Sequence, residues 1–586
     1  MIYHLLRHLL HPLKILWRER IDLFWPIWIA ITLVGVMLVI WAVPRPESVR
    51  LDPARPRRND WSRAAVLAVA FLGLFLSCYI AGSLAWEDFT YYDNSMFTLG
   101  TLAGHAIPVP IWQDEGRFWP LGYQEYNLLR HFTNSVSGYH ALRTLQLVLL
   151  AGILLFFDED LSIKARVGLI TLALLTPSLL ISFGGLIYPE SNLVFSVVCL
   201  AWSVKRFEQT RSMGWAVAAV ISSQFMLYYK ETAFLLLLGF ALSRLLLRCL
   251  VDPVGWDFKR LRDPESRLDA CLAFLVVPFL LYYLAAMFPG FSTRYADDFR
   301  LSSWQVLRAY LQVDLLAWVF VAVVLARVVL IVRRRVAPSL LWDGLALGGT
   351  AYVASYLALR MQAAYYFAPV DLIALLYLGH LAVVSGKSMG LGTRLCAVTL
   401  LVLVLLQSLA LSAFRMYERK NVVHAKAEMG QAIQARYESD PQNVRRLFFP
   451  FASPNHIMEF GAYLNYRGVP TEGVPDSTPG TGKVMMVGKT IRADGPCMRG
   501  KPLVCRAGAS PEPGDLIVVL PDDLTPTGEL NSYKQDSNQL LFSYRPRPSI
   551  PQWLRPYVNH LHVVSPAFPH NPLPDLWLNA SLNVAK

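Results

Sequence analysis

Apolar runs long enough to cross a bilayer recur along the first two thirds of this chain. A run of roughly 20 apolar residues spans the hydrocarbon core as a helix. No water is available there to satisfy an open backbone, so each run must close its own hydrogen bonds. The runs read as 25–43, 64–85, 141–157, 166–183, 190–204, 213–229, 232–250, 270–288, 311–332, 341–359, 366–385 and 394–413. Some are short or interrupted, and about twelve spans is the expected count. With 54% hydrophobic and 16% charged residues, the chain has too little charge to cover a water-soluble body of this length. The expected fold class is an α-helical polytopic membrane protein with a C-terminal soluble α/β domain.

The net charge of +12 would fit a nucleic-acid binder, but its distribution argues against one. Lys205, Arg206 and Arg211 form one basic loop, and Lys259, Arg260 and Arg262 another. Arg333-Arg334-Arg335 and the pair Lys387 and Arg394 continue the series. These loops alternate with basic-poor ones, the positive-inside pattern, and are assigned to the cytoplasm. Loops 86–140, 184–190, 230–231, 289–310 and 360–365 then face outward, as does the tail after 413. The Arg-, Leu-, Ala- and Pro-rich composition fits a bacterial inner membrane. Residues 1–24 are basic and lack a signal-peptide layout. If 25–43 spans, the basic loop 44–63 lies inside and 1–24 outside; otherwise 1–24 lies in the interface or 25–43 is re-entrant.

Three parts follow. Residues 1–63 form an amphipathic segment plus an extra membrane helix, 64–413 the membrane body with its outward loop 86–140, and 414–586 the outer domain. In the tail, 421–439 reads as a helix leaving the membrane and 455–466 as another. Short strands are expected at 446–451, 483–488, 515–520 and 540–544, which makes the tail α/β. Cys78, Cys199, Cys249, Cys271 and Cys396 lie in or beside spans, where a small apolar role suits them. Cys497 and Cys505 lie in the tail, where an oxidising compartment would favour a disulfide. No metal-ligand spacing occurs.

The outward loop concentrates the chemistry. Glu87, Asp88 and Asp93 sit among aromatic residues just past the second apolar run, and Asp114-Glu115 follow. Carboxylates at the mouth of a span are costly to desolvate and are functional candidates. Asp88 could act as a general base toward an acceptor hydroxyl, or merely end the span. Short interfacial helices are expected at 94–103 and 122–133. Glu190 follows the broken backbone Gly184-Gly185 and Pro189; it could orient an acceptor or pair with Lys230. Lys230-Glu231 interrupts a long apolar run, as a turn or as a site where Lys230 neutralises a phosphate. Arg117 and Arg360 are further phosphate candidates, or else snorkelling residues. Asp297-Asp298 reads as a solvated loop face. The chain carries no Gly-x-Ser-x-Gly elbow, Walker loop or dinucleotide fingerprint, so an activated substrate would arrive on a lipid.

On these residues the chain resembles the GT-C glycosyltransferases, over about 64–413. The acidic pair Glu87-Asp88 opens the first large outward loop, followed by Tyr91-Tyr92. Gly116-Arg117-Phe118-Trp119-Pro120-Leu121 is similar to that family's entry to a second interfacial helix. Tyr188-Pro189-Glu190 and Tyr229-Lys230-Glu231 look like its luminal turns, and Tyr365-Tyr366-Phe367-Ala368-Pro369 like its late Tyr-x-x-Pro turn. One departure is that the acidic pair follows the second apolar run instead of the first. The resemblance implies inverting transfer from a polyprenyl-phosphate-sugar to a glycan, lipid or protein acceptor at the periplasmic face. Asp88 would be the base, flanked by Glu87 and Asp93. Lys230, Arg117, Arg360, Tyr365 and Tyr366 would hold the donor phosphate. Glu190, Glu231, Asp114 and Glu115 would meet the acceptor. Family members differ in metal use, so a divalent metal is left open.

Two rival readings share the membrane body. One is an oligosaccharide polymerase or ligase with lipid-diphosphate donors. The other is a lipid-linked sugar transporter, which internal repeats and mid-membrane charges would have marked. Membrane lipids are partners in every reading, and nucleic acid in none. The tail reading makes its own prediction. Cys497 and Cys505 should be bonded in natively purified protein, and replacing both should lower stability more than activity per folded molecule. Free thiols at both positions by non-reducing peptide mapping would contradict it.

Overall fold

The computed structural model describes residues 23–43, 62–83, 98–112, 117–250, 262–287, 302–361, 363–386, 391–450, 454–471, 484–489, 504–506, 510–520, 539–544 and 581–585. Glu87, Asp88, Asp93, Asp114, Glu115, Asp297, Asp298 and Cys497 lie outside the described residues. Sixteen helices of six residues or more organise the described residues: α1 Phe24–Ala42, α2 Arg63–Ser83, α3 Gln124–Leu129, α4 Val136–Phe157, α5 Ile163–Leu174, α6 Pro177–Gly184, α7 Glu190–Thr210 and α8 Met213–Tyr229. These are followed by α9 Ala233–Leu250, α10 Pro264–Met287, α11 Ser303–Val313, α12 Leu315–Val332, α13 Leu340–Leu359, α14 Ala368–Gly386, α15 Leu391–Ser439 and α16 Pro454–Tyr466.

Eight helices among the described residues are long and apolar enough to cross a membrane, or nine if one bent pair counts as a span. This is fewer than the expected twelve, although the helices lie where the apolar runs do. The difference has a physical cause. Helix α8 has only 17 residues. Helix α7 carries Glu190, Lys205, Arg206 and Glu208, and α13 carries Asp343 with several Gly and Ser. Neighbouring helices bury much of α7 and α13, so neither must be apolar all round. The expected span 166–183 is broken: Pro177 starts α6 at a 71° bend from α5. The expected span 311–332 also splits, because Asp314 accepts from the Ala317 amide at 3.0 Å and starts α12 afresh. Ser302 and Gln305 form a capping box that starts α11.

Lipid offers no hydrophobic drive between helices, so close packing and polar bonds hold the bundle. Glycines on α9 and α13 allow the closest approach. A Cβ on Gly348 would lie 2.6 Å from the Leu236 carbonyl oxygen, and one on Gly239 3.0 Å from the Gly348 Cα. At one end of the bundle, Arg244 and Arg248 tie α9 to α7 and α10. Arg244 bonds Asp269 at 2.8 Å and Glu208 at 2.7 Å, and Arg248 bonds Glu208 at 2.9 Å. Arg327 joins α12 to α13 through Asp343 at 2.6 Å, and the Tyr377 hydroxyl of α14 donates to the same carboxylate.

Helix α15 runs 49 residues without a break, so the expected last span and the exit helix are one piece. It leads into a six-stranded sheet of β3 Arg446–Phe449, β4 Met485–Lys489, β5 Val504–Arg506, β6 Leu516–Val519, β7 Gln539–Ser543 and β8 Ser581–Val584. Its order is β5-β4-β3-β6-β8-β7, parallel from β5 to β6 and antiparallel across β8 and β7. Strands β5 and β8, of three and four residues, were not foreseen. In the outward loop, β1 Ile111–Trp112 pairs antiparallel with β2 Arg117–Phe118, a hairpin the sequence reading also passed over. Tail residues Val423, Met429, Leu447, Phe460 and Leu582 form one buried cluster with Leu99, Trp119, Tyr126, Tyr139 and Leu186. Loop and tail therefore occupy the same end of the bundle.

The glycine contact is testable. Gly348→Ala should cost about 1–3 kcal/mol, because its Cβ meets backbone. Gly152→Ala, with nothing within 4 Å of its Cβ, should be silent. Thermal unfolding in detergent compares the two, and equal transitions would contradict the packing.

Candidate active site

The site grows from helix breaks at the end of the bundle that carries the loop. Helix α6 stops at Gly184, and the chain crosses Gly185 to Pro189 before α7 begins at Glu190. A Cβ on Gly185 would lie 2.2 Å from the Tyr188 ring, so glycine is required for the chain to fold over there. Helix α8 stops at Tyr229; Lys230 is extended at φ −154°, and α9 resumes at Ala233. The loop crosses both breaks, and the Leu121 amide donates to the Tyr228 carbonyl at 3.1 Å.

These breaks place two ion pairs around one aromatic ring. Lys230 Nζ lies 2.8 Å from Glu190 Oε1, with side-chain exposures of 3% and 0%. Arg117 Nε donates to Glu231 Oε1 at 2.9 Å. Both cations face Trp119, Arg117 at 4.2 Å and Lys230 at 5.8 Å from the ring centroid. Lys230 also stands 4.6 Å over the Tyr366 ring. Tyr366 stacks on Tyr356 at 4.6 Å, and Tyr365 meets Tyr188 at 4.6 Å. A chain of buried hydroxyls continues inward: Thr232 Oγ1 lies 2.9 Å from Tyr356 Oη, which lies 3.0 Å from Tyr352 Oη.

The structure thus brings together Lys230, Arg117, Tyr365, Tyr366, Glu190 and Glu231 from four separate stretches of chain. Of the two roles open to Glu190, the structure has it paired with Lys230. Arg360 is placed differently: it ends α13 in a left-handed turn at φ 56° with its side chain exposed. Behind the pair lie Arg143, Glu125, Asn192 and Tyr126, which the sequence reading did not single out. A lone arginine two turns into an apolar helix was the available signal. An apolar run beginning at 141 sets Arg143 at the mouth of the span, whereas the helix begins at Val136 and carries it two turns in. Burial pushes the Tyr126 phenol pKa up, and the neighbouring Arg143 offsets part of that rise. Among the described residues, no group of three His, Cys, Asp or Glu could hold a metal ion.

No family model matches the chain, and no curated protein matches it. Two solved structures align with most of it. ArnT from Cupriavidus metallidurans in the apo state is 13% identical, with 82% of this chain and 97% of that chain covered and a TM-score of 0.42. The same ArnT bound to undecaprenyl phosphate is 11% identical, with 83% and 99% covered and a TM-score of 0.39. Likeness at this level leaves function to be argued from the site.

Chemically, the site offers two cations whose counter-charges come from the protein. Burying either ion alone would be costly, and the pairing offsets that cost. An anion entering here would meet Lys230 and Arg117 on an aromatic floor, in competition with Glu190 and Glu231. The pairing itself is testable. Lys230→Met alone should destabilise by about 3–5 kcal/mol, because it leaves Glu190 buried and uncompensated. Lys230→Met combined with Glu190→Leu should recover most of the loss. Additive losses in a thermal double-mutant cycle would mean the two side chains are not coupled.

Proposed function

We propose that the protein is a membrane glycosyltransferase of the GT-C type. It moves a sugar from a polyprenyl-phosphate donor to a glycan, lipid or protein acceptor on the outer face of a bacterial inner membrane. The observation that carries this reading is the convergence of Lys230 and Arg117 on Trp119 at helix breaks beneath the outward loop. Two cations beside aromatic rings suit a ligand with a phosphate and a sugar face. The lipid membrane body supplies the route by which a polyprenyl chain would arrive.

In this reading Asp88 accepts the proton of the acceptor hydroxyl. The oxygen attacks the anomeric carbon from the face opposite the phosphate, which inverts the configuration. The bond from that carbon to the phosphate oxygen breaks, and its electron pair leaves with the polyprenyl phosphate. Lys230 and Arg117 stabilise the charge that develops there, with the hydroxyls of Tyr365 and Tyr366 as further donors. Glu87 and Asp93 flank the base. Asp114, Glu115, Glu190 and Glu231 contact the acceptor.

The test is release of polyprenyl phosphate from a polyprenyl-phosphate-linked sugar by the full chain in nanodiscs. Asp88→Asn keeps the size of the side chain but removes the proton acceptor, and turnover should fall on the order of 100-fold or more. Asp93→Asn should stay near wild type. Normal turnover in both variants would remove this carboxylate cluster from the chemistry. Turnover only with a lipid-diphosphate oligosaccharide would replace this reading with that of a polymerase or ligase.

A further inference from the structure

We infer that Arg143 is the positioning residue of the site, and that it holds both sides of the break that delivers Glu190. On the near side, Arg143 Nη2 donates to the Leu186 carbonyl at 2.8 Å. On the far side, Nη1 donates to Asn192 Oδ1 at 2.9 Å. Glu190 lies between these two anchors, two residues before Asn192. The same guanidinium reaches the outward loop, where Nη2 contacts Glu125 Oε1 at 3.1 Å and the Tyr126 hydroxyl at 2.9 Å. Tyr126 in turn donates to the Leu186 carbonyl. The Asn192 amide closes the ring by donating to Glu125 Oε1 at 2.7 Å.

Arginine suits this place because one planar fork can serve acceptors on two sides at once. Its side chain is 1% exposed, and its bonds to Asn192, Tyr126 and the Leu186 carbonyl are buried. The Leu186 carbonyl sits in a stretch with no helical partner, and Arg143 supplies the donor it needs. Tyr126 and Leu186 also belong to the buried cluster formed by loop and tail. Arg143 therefore ties the seating of the tail to the position of Glu190, and through Glu190 to Lys230.

What the positioned pair does rests on the reading above; that Arg143 positions it does not. The experiment is therefore amine labelling, with transfer measured alongside. Full-length protein in nanodiscs is pulsed with a small lysine-reactive ester, and each lysine is quantified by peptide mass spectrometry. In the wild type Lys230 is buried and paired, and should label slowly. In Arg143→Gln its rate should rise by about tenfold or more, the scale of losing charge-assisted bonds. Lys205, fifteen residues beyond Glu190 on α7 and 3.9 Å from Asp158, should be unchanged. Tyr126→Phe removes one hydroxyl and keeps the ring, and should raise Lys230 labelling by about threefold. It serves as the readout if Arg143→Gln fails to fold. Arg143→Lys should remain faster than wild type, since one ammonium cannot reach both sides of the break. Unchanged Lys230 labelling in a folded Arg143→Gln, or a parallel rise at Lys205, would overturn the inference. Wild-type protein with no transfer activity but the expected labelling pattern would sink the proposed function and leave the positioning role standing.

Discussion

A charge placed among membrane helices needs a counter-charge, and this requirement organises the whole structure. Helices in lipid gain nothing from excluding water, so their order depends on close packing and polar bonds. Here the polar bonds sit near the two ends of the bundle. Arg244 and Arg248 with Glu208 and Asp269 close one end, and Lys230 with Glu190 lies at the other. Helix α7 joins them, because Glu190 begins it and Glu208 lies in its last turn. The eighteen-residue step from one carboxylate to the other makes about 27 Å of helix, close to the hydrocarbon thickness. A single helix therefore sets the spacing of both clamps.

The two clamps differ in character. Arg244 and Arg248 share two carboxylates across three helices, an arrangement with little slack. The Lys230 clamp lies on irregular backbone at breaks in the chain, where extended residues replace helical ones. Irregular backbone at membrane depth survives only where protein buries it. The outward loop and the tail supply that cover, through the cluster that joins Trp119, Tyr126 and Leu186 to Leu447 and Phe460. The tail thus helps build the site instead of hanging from it.

Much of this was legible in the sequence. Apolar runs located the helices because a spanning helix must be apolar where it meets lipid. Gly184-Gly185, Pro189 and Lys230-Glu231 marked the breaks, since those residues interrupt helices or resist burial. The strand pattern of the tail showed through short apolar runs bounded by Gly, Pro and Asp, and the sheet follows it at β3, β4, β6 and β7. Arg143 was hidden because one arginine among apolar neighbours does not reveal which carbonyl it will meet. The splits at Pro177 and Asp314 were hidden too, since mean hydropathy carries through a proline or a single acid.

By itself the sequence determined where the long apolar helices lie, which loops carry the basic residues, and that ionisable residues gather at breaks in the apolar runs. Those follow from composition along the chain, because transfer into lipid is decided locally. Partner choice was decided only by the tertiary structure. That Arg117 meets Glu231, that Arg143 spans Leu186 to Asn192, and that Glu190 takes the pairing with Lys230 out of its two foreseen roles depend on separate segments of chain arriving side by side. Electrostatic pairing acts through space over a few ångströms, and no local pattern encodes which distant segment will stand there.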